Sequence, residues 1–237
     1  ISDQILKMYI QRLIENTDGQ LVSPELVAYY AVTLPPKQQI QLYSELMWLI
    51  ELKEDRQRVI EAGTKAGLDV QASAIETVRY AIKILKENPI DVTSKEISYD
   101  CELNEKNLKL ISRITSSLEW LSFFETQISE LVSMSNCIIR TLIFKGDVDS
   151  ATSVLSRLLQ FYPTSVLAEN LLNTSNTLRE HLCLKAYLEA INGYASWYRQ
   201  HIGGRPKSPE PLSQEYSFTD KVHHEQIKAQ IKLQQEQ

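Results

Sequence analysis

Chain breakers are scarce in this sequence. Its 237 residues include only 7 glycines and 8 prolines, and the prolines gather at Pro35-Pro36 and between Pro206 and Pro211. A fold of many short strands needs turn residues far more often than this, so the scarcity favours long helices. Cysteine is nearly as sparse. Cys101, Cys137 and Cys183 form an odd, widely spaced set, which excludes a disulfide framework and reads as reduced thiols in the cytosol or nucleus. No apolar run approaches the roughly 18 residues of a membrane span, so direct membrane insertion is not expected. Positive charge is also short: the net charge is −5, which argues against a basic face for phosphate backbones and so against nucleic acid as a partner. Neither GxxxxGK[ST] nor GxGxxG occurs, and Gly203-Gly204 runs into Arg205-Pro206 rather than a helix, so no nucleotide cradle of those types is expected.

What the chain does have is enough to fold on. With 43% hydrophobic and 23% charged residues it can bury a substantial core without disulfides or metals. Its length suits one elongated domain or two small ones. It begins at Ile1 without Met or a signal-peptide pattern and stops inside a helical pattern, which reads as a piece of a longer protein.

No window shows a period of two, whereas helical spacing recurs throughout. Ser2-Asp3 starts a helix through Ile5, Tyr9, Ile10 and Leu13 that breaks at Asn16 and Gly19. Ser23-Pro24 starts a second, stopped by Pro35-Pro36. A third runs through Ile40, Tyr43, Met47 and Ile50, and a fourth through Val59 and Ala62, with Gly63 and Gly67 as candidate C-terminal caps. Asp69 caps a fifth that closes at Asn88-Pro89, and residues 90 to 103 read as an irregular connection. From Leu121 through Phe124, Ile128, Leu131, Ser135 and Ile138 to Leu142 the steps alternate between three and four, as one long helix ending at Gly146. Asp147 opens the next. The pattern is an all-α chain, an irregular α-solenoid of stacked helical hairpins or, failing that, a compact bundle. Residues 1–201 form the solenoid segment, 202–217 a Pro- and Gly-containing connector, and 218–237 the start of a further helix.

The stretch LREHLCLKAYLEAINGYASWYRQH, Leu178 to His201, crowds chemistry-bearing residues together. On a wheel of about 100° per residue His181, Lys185, Glu189, Asn192, Ser196 and Arg199 share one narrow polar strip. Leu182, Ala186, Ala190, Gly193 and Trp197 make one apolar flank, and Leu184, Leu188, Ile191, Ala195 and Tyr198 another. Both flanks are expected to be packed by neighbouring helices, the small residues admitting a close backbone. Replacing Trp197 with Asp should then loosen the stack. His181 and Cys183 lie about 200° apart around the axis, so they cannot share a zinc ion or act as a nucleophile and base pair. His223-His224-Glu225 starts like a zincin motif, but Lys228 stands where its second His belongs. Gly203 to Ser213 reads as a connector, with Ser208-Pro209 only a weak modification signal. Catalytic, cofactor-binding and metal-binding residues are therefore all expected to be none.

Arg179-Glu180-His181-Leu182-Cys183-Leu184-Lys185-Ala186-Tyr187-Leu188-Glu189-Ala190 resembles the R-E-H-L-C-x-[KR]-A-Y-L-E-A helix of the nucleoporin 107 family. Glu119-Trp120-Leu121, Gln127, Asn136-Cys137-Ile138-Ile139-Arg140 and Gly146 to Ala151 are similar to a second family stretch, and Leu26 to Pro36 more loosely to a third. The resemblance implies a non-enzymatic scaffold in the stalk of the Y-shaped outer-ring complex of the nuclear pore, at the nuclear envelope, supporting pore assembly and transport of protein and mRNA. It implies a nucleoporin 96-type neighbour on the N-terminal side and a nucleoporin 133-type neighbour through a tail beyond Gln237. Two rivals remain: a helical-repeat adaptor, which would need a groove lined by aromatic residues with Asn, Lys or Arg, and an enzyme using Cys137 or Cys183 with a distant His.

Overall fold

A computed structural model describes residues 2–15, 23–87, 101–163, 167, 175–203 and 225–229. Among them every regular element is helical. In order these are α1 (Ser2–Glu15), α2 (Pro24–Ala31), α3 (Pro36–Leu49), α4 (Lys53–Ala66), α5 (Val70–Glu87), α6 (Cys101–Ser117), the single turn α7 (Glu119–Ser122), a 3-10 turn (Glu125–Gln127), α8 (Ile128–Phe144), α9 (Val148–Phe161) and α10 (Ser175–Tyr198), which ends in a π turn over Arg199–Gly203. Residues 225–229 are also helical. The rest of the expected connector and final helix, with Ser208 and His223-His224, lies outside the described residues, as does Asn88-Pro89.

Local chemistry starts and stops these helices where the sequence suggests. Asp69 caps α5, its Oδ1 accepting from the Ala72 N–H at 2.9 Å, and Asp147 caps α9 by accepting from Ser150 N–H at 3.0 Å. Gly67 (φ 82°) and Gly146 (φ 81°) take the left-handed conformation that ends α4 and α8. Three expectations change. Ser23 precedes Pro24 at the start of α2, but its hydroxyl donates to Glu25 at 2.6 Å instead of capping the helix. Gly63 is no cap: it lies inside α4 against the Tyr43 ring, where a Cβ would come within 2.8 Å of that ring and 2.7 Å of Val70 Cγ2. Residues 101–103 open α6 rather than closing a loop.

The long helix expected from Leu121 to Leu142 is broken. Phe124 is extended (φ −122°, ψ 105°), which separates α7 from the 3-10 turn that leads directly into α8. No glycine or proline marks the break. The three-and-four spacing runs straight across it because a 3-10 turn shifts the register too little to disturb an apolar stripe. Packing of Glu119, Trp120 and Leu121, all buried, holds the bend.

The chain divides into two units, residues 1–186 and 187–237. Within the first, α1 packs on α3, α3 on α5 and α5 on α8, while α2 packs on α4 and α9 on α8. The core along these contacts includes Ile10, Val27, Leu42, Tyr43, Met47, Val78, Leu85, Leu131, Ile138 and Leu158. Tyr43, fully buried, donates its hydroxyl to the Val59 carbonyl at 2.5 Å, tying α3 to α4, and burial pushes its phenol upward from the usual tyrosine range.

Candidate functional site

The sequence stretches that carry the family resemblance meet in the first unit as polar ties between helices. Asn136 on α8 donates its Nδ2 to the Thr177 carbonyl of α10 at 3.0 Å and turns its Oδ1 to His181 Nδ1 at 3.3 Å. An amide oxygen can only accept, so Nδ1 carries the proton and Nε2 faces the interior as a bare acceptor with no partner. Protonating that nitrogen would bury an unpaired donor. Burial, seconded by the charge of Lys185, accordingly holds the His181 pKa below the usual imidazole value. One turn further along α8, Arg140 pairs with Glu180 at the half-exposed edge of the same contact.

A second tie is deeper. Glu119 on α7 pairs through its two oxygens with Arg56 of α4 and Arg157 of α9. Arg56 is 1% exposed, its Nη2 donates to the Glu51 carbonyl at 3.0 Å and its guanidinium lies 5.5 Å from the Trp120 ring centroid. Burial lowers the Arg56 pKa, and the Glu119 carboxylate opposes that fall. Nothing in the sequence joins residues 56, 119 and 157; the only hint is a lone Arg amid the core positions of α4.

Of the two flanks of α10 that the wheel suggests should be covered, the structure covers the Leu184–Leu188–Ile191 one and adds His181 to it. His181, expected on the polar strip, is fully buried, and Leu188 is 1% exposed. Leu184, Ile191 and Ala195 are half-buried. These five residues follow steps of three and four and span an arc of roughly 80°. The Leu182 flank is exposed in this chain: Leu182, Ala186, Ala190, Gly193 and Trp197, with Trp197 47% accessible and nothing within 4 Å of a Cβ placed on Gly193, and Tyr198, expected beside Leu188, is exposed as well. The Asn136 bond to His181 Nδ1 accounts for the difference. Paired with Asn136, His181 can sit at the edge of the apolar arc, so the inward face turns toward it and away from Leu182. On the exposed side Tyr194 stacks on Trp197 (5.7 Å between centroids) and Trp197 on His201 (5.1 Å).

Cys183 is exposed and Cys137 partly so, both free thiols. Among the described residues no three His, Cys, Asp or Glu side chains are grouped to hold a metal ion, and no helix is long and apolar enough to cross a membrane.

Residues 1–236 match the family model described as nuclear pore protein 84 / 107. The chain is similar to Nuclear pore complex protein Nup107 of Drosophila melanogaster, 28% identical over 94% of this chain and 26% of that protein. The human Nup107 is 27% identical over 95% of this chain and 24% of its own length. The mouse protein is 28% identical over the same shares. The chain thus spans about a quarter of the length of the curated relatives it matches. With the match running almost from end to end, and the motif residues serving as the pins between its helices, the chain belongs to the nuclear pore protein 84/107 family.

Proposed function

We propose that this chain is a structural scaffold segment of the nuclear pore complex, in the stalk of its Y-shaped outer-ring assembly. The observation that carries the proposal is the family match over residues 1–236. In this reading the chain is a non-enzymatic element at the nuclear envelope that supports pore assembly and the passage of protein and mRNA. It works mechanically. Burial at about 25 cal/mol per Å² makes each helix depend on the ones beside it, as in helical repeat stacks. The succession of α1, α3, α5 and α8, each packed on the next, with α2 on α4 alongside, fits an α-solenoid of stacked hairpins. A nucleoporin 96-type neighbour on the N-terminal side and a nucleoporin 133-type neighbour through the tail are its expected partners.

The test is affinity purification of the tagged chain, and of a longer version continuing past Gln237, from cells, combined with imaging. Recovery of outer-ring nucleoporins and a signal at the nuclear rim are expected. A diffuse signal without those proteins, from both versions, would refute the scaffold reading.

A further inference from the structure

A cleft of about 580 Å³ opens in the first unit between α3, α4, α6 and α7, a size in the range of sites that hold a few side chains of a ligand. Its walls combine apolar and aromatic side chains, Met47, Trp48, Ile50, Leu110 and Trp120, with three serines of α6. Its lining carries Arg56, Lys109 and Arg113 against a single carboxylate, Glu51, with Glu119 behind Arg56 already paired to that cation. That excess of cations stands out in a chain of net charge −5. Arg113 spreads over Trp48, 5.7 Å from its centroid, and pairs with Glu51 by one nitrogen. A guanidinium has five N–H donors, so Arg113 retains donors beyond that pair. Arg56 adds a second, independent sign of a ligand: its Nε is buried with no hydrogen-bond partner, though the residue is 1% exposed and lines the cleft.

We propose that this cleft docks a short acidic peptide segment of a partner protein, with carboxylates on Arg113 and Lys109 and an adjoining apolar side chain beside Trp48 and Trp120. The chemistry selects such an occupant. The lining residues of α6, Lys109 to Ser117, lie within the helix or at its C-terminal turn, where backbone N–H groups are already engaged. No cradle of amides is offered to a phosphate, and recognition falls to side-chain cations and indole faces, which suit a carboxylate next to an apolar group. A docking site of this kind goes beyond the scaffold role, because it is independent of which stalk neighbours hold the ends of the chain.

The experiment titrates the whole chain into a fluorescein-labelled, capped hexapeptide, Asp-Glu-Leu-Phe-Asp-Glu, in low salt, and follows anisotropy. Saturable binding is expected, absent for the Asn-Gln-Leu-Phe-Asn-Gln peptide. Loss of one charge-assisted contact in Arg113→Gln should weaken it about tenfold. Ser112→Glu, which sets a like charge in the cleft, should weaken it as well. Phe144→Ser, at a 90% exposed position on α8, should leave it unchanged, with circular dichroism verifying each fold. No saturable binding, equal binding of both peptides, or indifference to both cleft variants would overturn the proposal. So would competition by benzoate or inorganic phosphate as strong as that of unlabelled peptide, which would make the cleft a small-anion site.

Discussion

Glu119 holds two arginines at once, and it is the single side chain whose removal should hurt most. Glu119→Ala strands the buried Arg56 guanidinium, an effect of about 3–5 kcal/mol. Arg157, with 36% of its side chain exposed, can return to water when its partner is lost. Arg157→Ala should therefore cost well under that, about 1 kcal/mol. Denaturant unfolding followed by circular dichroism distinguishes them, and equal losses would mean the tie is not buried as described. His181 makes a different kind of prediction. In the unfolded chain it titrates near 6.5, whereas burial keeps its folded value lower. The unfolded state thus binds the proton first, so stability is full above about pH 6.5, falls as the pH drops through that value, and levels off once the folded form titrates too. Asn136 and Lys185 are the groups facing it. His181→Gln, which does not titrate, should flatten the fall in melting temperature between pH 7.5 and 5.5; an unchanged slope would assign it to other groups. None of these pairings was readable beforehand. Partners 38 to 63 positions apart leave no local trace, and a wheel cannot distinguish a histidine facing solvent from one held by an amide inside.

At the scale of single elements the sequence was far more informative, because caps act within four residues. Asp69, Asp147, Gly67 and Gly146 sit at helix ends as their chemistry requires. Breaks without breakers were invisible, as the extended Phe124 shows, and so was the role of Gly63. Two glycines inside helices now give opposite predictions. Gly63→Ala forces a methyl into Tyr43 and Val70 and should destabilise by about 1–3 kcal/mol. Gly193→Ala meets open space and should stabilise α10 by up to about 1 kcal/mol through helix propensity. Melting temperatures of the two variants should move in opposite directions. A stabilised Gly63→Ala would show that Tyr43 swings aside.

For the molecule as a whole, the all-α class followed from the scarcity of breakers, and the family from motifs dense enough to be specific. Which flank of α10 is covered followed from neither, since an apolar surface is the same on paper whether a helix of this chain or another protein meets it. With Trp197 47% accessible and Leu188 buried, the isolated chain should tolerate Trp197→Asp with a change near 0.5 kcal/mol, while Leu188→Asp should unfold the end of α10. Helicity and thermal melts check this, and a collapse of the Trp197 variant would return that flank to the interior. Exposed aromatics stacked as Tyr194, Trp197 and His201 are suit a contact with another protein, consistent with a scaffold role.

The Glu119 tie has one more consequence, for handling. At molar ionic strength the Debye length shrinks to about 3 Å, so superficial pairs such as Arg58 with Glu25 fade, whereas charges shielded from solvent feel little of the added ions. Concentrated brine strong enough to strip loosely held proteins from their neighbours should therefore leave α4 and α7 clamped together through Arg56 and Glu119.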